Sequence, residues 1–480
     1  MPTKEELTWM PAHRVRELIA SKEVSSVEVT ELALERIERL NPTLNAFLTV
    51  VPDMALEMAR DAEAAVMRGD ELGPLHGVPT SIKDLEGLAG VRQTDGSLIY
   101  KDRIADADAL STERLKAAGA VMLGKTNTPE YGHIGTNENR LGEPCRNPWN
   151  PECTSGASSG GAGASVAAGI TAIAQGSDGG GSIRIPSAFN GIYGIKATQG
   201  RVPRRQGGLP SWNPINTSCV GPLTRDVRDA AIMLQAIAGP GPDAEDGTIQ
   251  SEPPDFVAAL ERGVRGLRVA WSPDLGGVAV DPEVVRVTRA AAEVFAELGA
   301  TVEEPGFRAD DPEEVLTAFF SVFRSKAFAQ NGWMLEKHPD LLTDYYRLGL
   351  ERGRDLTATE LHMGQARIMK YRAYVRDFFT RYDLLLTPTT AVPAFPVNGE
   401  PEVIGGKPVP DRRMGFTPFT YLFNMTGNPA ATAPAGFSES GMPIGLHIVG
   451  RRNDEETVLA ASAAFEAARP WADKRPAIAS

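Results

Sequence analysis

Cysteine is scarce in this chain. Only Cys145, Cys153 and Cys219 occur among 480 residues, and none belongs to a CxxC pair. That argues against a disulfide framework or a cysteine-built zinc site and makes a reducing, cytoplasmic compartment the default. Histidine is nearly as rare: the six residues are scattered and show no HExxH spacing. They read as structural, and no metal or other cofactor is expected. Runs of Lys and Arg are missing, and the formal net charge is −13. This argues against direct nucleic-acid binding; the acidity serves solubility. Long apolar runs are missing as well. The longest, Ala162 to Ala174, is rich in Gly, Ala and Ser and falls short of the roughly 20 residues that cross a bilayer. The N-terminal stretch MPTKEELTWMPAHRVREL is charged and has no apolar core of a secretory signal. There is no 20–50-residue repeat.

What is present describes a globular enzyme. The chain is 42% hydrophobic and 23% charged, and its length allows one large domain or two to three ordinary ones. Ser25 and Glu28 form a capping-box pattern that opens a helix ending before Pro42. Further helices are read at about 54–68, 112–118, 162–168, 282–298 and 454–468. Strands are read at 120–123, 170–174, 267–271, 301–303, 384–387 and 444–449. Strands alternating with helices predict an α/β sheet covered on both faces. The segment from about 312 to 380 is helical and aromatic, with Phe319, Phe320, Trp333, Tyr345, Tyr346 and Tyr374, and has the composition of a cap over a pocket. Residues 392–410, rich in Pro and Gly, read as a long surface loop.

Three motifs carry chemistry. In Gly77-Val78-Pro79-Thr80-Ser81-Ile82-Lys83-Asp84 the lysine follows a turn and an apolar position, as at the end of an inner strand. A buried lysine loses its charge readily and becomes a competent general base. Gly156-Ala157-Ser158-Ser159-Gly160-Gly161 also matches the G-x-S-x-G nucleophile elbow. An elbow needs a strand before its serine, and Arg146-Asn147-Pro148-Trp149-Asn150-Pro151 makes a poor strand. It also needs a later acid and histidine; His338, His362 and His447 are available but undistinguished. Gly176-Ser177-Asp178-Gly179-Gly180-Gly181-Ser182 suggests a phosphate loop, yet Gly181 stands where that motif requires lysine. The better reading is a serine beside converging backbone N–H groups, a nucleophile at its own oxyanion hole. Asp178 and Arg184 would pair to stiffen the loop.

Lys83, Ser158 and Ser182, in that order and with the two serines 24 positions apart, resemble the amidase signature family. The likeness extends to Gly73–Gly77, Lys125-Thr126-Asn127, Gly221–Arg225 and Pro443–Leu446, and so covers essentially the whole chain. It implies one large domain over 1–480, with a signature core at about 70–235, and a twisted mixed β-sheet covered by helices on both faces. It also implies a Ser–cis-Ser–Lys triad: Ser182 as nucleophile, Ser158 in a cis peptide linkage with Ala157, and Lys83 as base. The N–H groups of Gly179, Gly180, Gly181 and Ser182 would hold the oxyanion, and Gly132, His133 and Ile134 would line the acyl pocket. Two departures stand out. Gly179 replaces a usual threonine and Ala157 a usual glycine; neither touches the triad. The aromatic segment and the apolar Phe416-Thr417-Pro418-Phe419 run favour an uncharged, partly aromatic amide or carbamate. The alternative is the A subunit of glutamyl-tRNA amidotransferase, which acts on glutamine inside a complex. No membrane partner is implied, and a homodimer is compatible with the expectation.

Overall fold

The computed structural model describes residues 2–205, 217–241, 249–308 and 311–479. Its strands, in chain order, are β1 (Phe47–Val50), β2 (Pro79–Lys83), β3 (Val121–Thr126), β4 (Ile173–Asp178), β5 (Tyr193–Lys196), β6 (Cys219–Thr224) and β7 (Arg268–Trp271). They continue as β8 (Thr301–Glu303), β9 (Leu384–Pro388), β10 (Val403–Ile404), β11 (Lys407–Pro408), β12 (Ala430–Phe437) and β13 (Pro443–Gly450). Eight of them form a mixed sheet in the order β4-β6-β5-β12-β13-β9-β7-β8. It is antiparallel from β4 to β9 and parallel across β9, β7 and β8.

Both faces of this sheet are buried, and strand periodicity shows it. Successive side chains of a strand point to opposite faces. Val269, Trp271, Leu384, Leu386, Ala431, Ala433, Leu446 and Ile448 join one core. The residues between them, Ala270, Leu385, Ala430 and Val449, join another. The helices Pro282–Glu297 and Glu455–Ala468 supply the first core, and Pro312–Asn331, Ala358–Phe378 and Tyr421–Thr426 the second.

A second, three-stranded sheet runs β1-β3-β2, with β2 parallel to β3. Its edge strand β2 lies beside β4, the edge of the large sheet. No backbone ladder joins the two among the described residues. The Lys83 N–H instead donates to Gln175 Oε1 at 2.9 Å, and Thr80 Oγ1 donates to the Ile173 carbonyl at 3.3 Å. Against this seam packs a helix of small residues, Gly160–Ala167, buried along its whole length. A β-carbon at Gly161 would overlap the Ala46 carbonyl and the Asn127 nitrogen, so only glycine permits this approach.

One helix runs further than the sequence predicts. It extends over Ser26–Leu44 with Pro42 inside its last turn and closes on Asn45 in the left-handed region, whose N–H bonds Asn41 O at 2.8 Å. A proline this close to the end forfeits little of the helical ladder. The 392–410 segment is not wholly irregular, since β10 and β11 form a short hairpin within it.

Candidate active site

Three segments that are distant in sequence meet at the seam. Lys83 ends β2, Ser158 precedes the small-residue helix, and Ser182 follows β4 after three glycines of loop. The Ala157–Ser158 peptide is cis. Lys83 Nζ and Ser158 Oγ are 2.6 Å apart, and Lys83 Nζ also donates to the Ser177 carbonyl at 3.3 Å. Exposure rises along the series, from 0% at Lys83 to 2% at Ser158 and 9% at Ser182. Lys83 therefore lies deepest and Ser182 meets the solvent side. Among the described residues no carboxylate lies within ion-pair distance of Lys83. Burial pulls its ammonium from the ordinary 10.5 down to about 7, against weaker opposing pulls from Glu86 and Asp178. Gly132 closes the other side of Ser158: it has a φ of +65°, and a β-carbon there would lie 2.9 Å from Ser158 Oγ.

The loop bearing Ser182 is held by a fully buried ion pair. Arg184 Nε and Nη2 donate to Asp178 Oδ2 and Oδ1, both at 2.9 Å. Asp178 also accepts from Asn424 Nδ2 at 2.9 Å. Burial by itself would raise the Asp178 carboxyl, but Arg184, Lys196 and Asn424 outweigh it and hold the group well below the carboxylate range. Thr420 Oγ1 donates to the Gly180 carbonyl at 2.6 Å, and Asn424 Nδ2 donates to the Asp178 carbonyl at 3.0 Å. Thr420 and Asn424 stand more than 230 positions along the chain from the loop that they clamp, and nothing in the glycine motif announces them.

Four N–H groups were expected to face a substrate oxyanion. The Gly181 N–H instead donates to Asp178 Oδ1 at 2.8 Å, because the turn folds it back onto its own acidic residue. The N–H groups of Gly179, Gly180 and Ser182 have no acceptor among the described residues. All three residues line a cavity of about 250 Å³, together with Ser158. Gly132, His133 and Ile134 line it too. His133 packs against Phe323 and Tyr346, with ring centroids 4.9 and 5.1 Å away, and burial together with Arg324 and Arg413 lowers it to about 3. It is a neutral packing residue at any ordinary pH.

The aromatic expectation is sorted by the geometry. Phe319, Phe320 and Tyr346 line the cavity, joined by Phe323 and by Tyr131, which stacks on Tyr346 at 4.6 Å. Trp333 and Tyr374 do not line it and are partly exposed. The Phe416–Phe419 run does not line it either: Phe416 and Phe419 are core residues, Phe416 stacking on Phe189 at 6.0 Å. Among the charged residues of the lining, Asp95 is bound by Arg103 at 2.7 Å and Arg204 by Glu86 at 2.7 Å.

The elbow reading fails on two counts. No strand leads into Ser158 among the described residues, where Arg146 and Thr154 form only an isolated bridge. His447 is buried with its Nε2 accepting from Arg184 Nη1 at 3.0 Å. Burial and then Arg184 keep it neutral, so its free Nδ1–H faces Thr387 Oγ1 at 3.3 Å and not a serine.

A family model described as Amidase matches residues 28–459. The chain belongs to the amidase signature family. An acylamidase of Rhodococcus erythropolis is 39% identical over 99% of this chain and 98% of its own length. The A subunit of glutamyl-tRNA(Gln) amidotransferase from Moorella thermoacetica is 37% identical over 98% of this chain and 99% of its own. The crystal structure of a bacterial aryl acylamidase of the amidase signature family superposes with a TM-score of 0.90 and 34% identity, covering 96% of this chain and 97% of that one. This chain is thus an amide hydrolase of that family, with the family's fold of a large mixed sheet between helices. Among the described residues, no helix is long and apolar enough to cross a membrane.

Proposed function

We propose that this amidase hydrolyses uncharged amides bearing aryl or small acyl groups, and aryl carbamates by the same route, through a seryl acyl-enzyme. The observation that carries the proposal is the 2.6 Å contact between Lys83 Nζ and Ser158 Oγ at a lysine with no carboxylate within ion-pair distance among the described residues. Neutral Lys83 takes the Ser158 proton, Ser158 takes the Ser182 proton, and Ser182 Oγ attacks the carbonyl carbon. The N–H groups of Gly179, Gly180 and Ser182 receive the oxyanion, while Gly181 spends its own on holding the loop. Each such donor is worth roughly 3–4 kcal/mol of barrier. Ser158 returns a proton to the leaving amine, and water then releases the carboxylic acid by the same relay.

The aromatic wall of Tyr131, Phe319, Phe320, Phe323 and Tyr346 supports the substrate class. The aryl acylamidase likeness supports it as well. Three free, buried cysteines suit a reducing cytoplasm. The Moorella relative favours the A subunit of an amidotransferase as the second reading. Against it, two of the three charged residues of the lining, Asp95 and Arg204, are already engaged in ion pairs, which leaves Lys326 as the third.

Amine release by the purified chain decides between them, measured with an anilide, an aryl carbamate, a short aliphatic amide and glutamine. Aniline release that vanishes in Ser182→Ala is the expected result. Activity on glutamine alone, or none until partner subunits are added, would transfer the assignment to the amidotransferase.

A further inference from the structure

A second concavity, of about 240 Å³, shares His133, Ile134, Phe320 and Met414 with the catalytic cavity as a common wall. Its other lining is strongly basic. Arg324, Arg352, Arg412 and Arg413 converge on it in a chain whose net charge is −13. Arg412 is accounted for, with Glu400 at 3.5 Å and Glu402 at 3.6 Å. Arg324, Arg352 and Arg413 reach no carboxylate within ion-pair distance among the described residues, and none of their guanidinium groups donates a hydrogen bond there. The one acid of the lining, Asp411, uses Oδ1 to accept the backbone N–H groups of Arg413 and Met414, both at 3.0 Å.

Two of the three unpaired cations are also held in place. The Arg324 guanidinium lies 3.6 Å from the centroid of the Phe320 ring, and that of Arg413 lies 5.4 Å from that of Tyr345. Stacking fixes a guanidinium plane and leaves its N–H edge free. Burial and then neighbouring Arg352 lower Arg324 to about 10, with Asp411 opposing them more weakly, so these like charges crowd one another. Crowded, stacked guanidinium groups that touch no carboxylate within ion-pair distance among the described residues can grip a planar or tetrahedral oxyanion by two edges at once.

We propose that this pocket is a second subsite, specific for a small oxyanion such as a carboxylate or phosphate, set behind the acyl wall of the amidase. The anion is either a free ion or the far end of a substrate, and the second case would add amides with an anionic tail to the uncharged amides of the proposed function. This subsite extends the amidase reading, but its binding can be read without turnover.

Calorimetry with glutarate and with inorganic phosphate tests it, at fixed ionic strength and with neutral glutaramide as the control. Saturable binding of the anions and not of glutaramide is expected. Arg352→Gln and Arg413→Gln should each weaken it by about tenfold or more, the factor for one charge-assisted hydrogen bond. Arg352→Lys should lose less. Arg352 is exposed and Arg413 half-buried, and near-native circular dichroism will show that the variants fold. Two kinetic arms separate the sources. A substrate tail predicts that a glutaric acid monoanilide outpaces its methyl ester in the wild type only. A free ion predicts that phosphate alters the rate on the neutral ester. No saturable anion binding, or variants that bind as the wild type does, would overturn the subsite. Failure of anilide hydrolysis with anion binding intact would overturn the aryl-amide reading and leave the subsite standing.

Discussion

Lys83 and Lys125 stand on paired strands of the small sheet, where β2 residue Ile82 is in register with Lys125 and Lys83 with Thr126. Both are wholly buried, and burial lowers both. Their surroundings diverge. Lys125 faces the Asp84 carboxylate at 3.7 Å and bonds the Glu86 carbonyl. Among the described residues Lys83 Nζ bonds only a hydroxyl and a carbonyl. Lys125 is thus paired with an acid and holds a turn together, while Lys83 faces the Ser158 hydroxyl with no carboxylate within ion-pair distance. Burial lowers both lysines, and the paired acid sets them apart.

The largest expected effect comes from replacing the base. Lys83→Met should cut kcat/KM on an anilide by roughly 10³-fold or more, as loss of a triad member does, while raising thermal stability. The sign follows from linkage. The folded pKa, about 7, lies below the unfolded value, so burying the charge costs stability in full below pH 7. The cost fades as pH rises from 7 toward 10.5. Melting temperatures of variant and wild type should differ most at or below pH 7 and converge by pH 10. A variant less stable than the wild type at pH 6 would refute this account of Lys83.

Lys125→Met should show the reverse pattern. It strands a buried Asp84 and should cost about 3–5 kcal/mol of unfolding free energy, read by urea denaturation, while the folded fraction keeps its pH profile. Stability equal to the wild type would erase the contrast between the two lysines.

The pH profile sharpens the contrast without mutation. For the wild type, kcat/KM should rise with pH through an apparent pKa of about 7 and then level off. A flat profile from pH 5 to 9 would remove Lys83 as the titrating base.

The smallest effect is expected at Gly179→Ala. This glycine does not occupy the left-handed region, and among the described residues an added β-carbon would touch only Ser218, at 3.7 Å. Activity should stay within about threefold, since alanine keeps the backbone N–H and its methyl group causes no overlap there. Gly181→Ala is the counterpart, at φ +127° and running into Thr420; a loss no greater than that of Gly179→Ala would show the loop to be looser than its hydrogen bonds suggest.

Much of this site was readable before the fold. Lys83 was marked by a turn followed by an apolar strand end, and Ser158 and Ser182 by glycine runs whose cost is repaid only by close backbone approach. The Asp178–Arg184 pair followed from the need to stiffen such a loop. The clamps from Thr420 and Asn424 were not readable, because long-range contacts leave no local spacing. Nor was β12, whose Ala430–Phe437 run carries four alanines, a proline and a glycine, with Thr432 its one β-branched residue. It is a strand because β5 and β13 flank it and both faces are buried, an instance of tertiary context overriding propensity. The inward turn of the Gly181 N–H is likewise invisible in a run of three glycines.

Lys83, the proposed base, grows from the small sheet and Ser182, the proposed nucleophile, from the edge of the large one, and among the described residues only bonds that use a side chain, such as Lys83 N–H to Gln175, stitch the two edges together. Neither sheet alone owns a working centre. Turnover is thus a certificate of assembly: a molecule in which the sheets have not docked is silent, so any activity assay of this chain also counts the fraction that has finished folding.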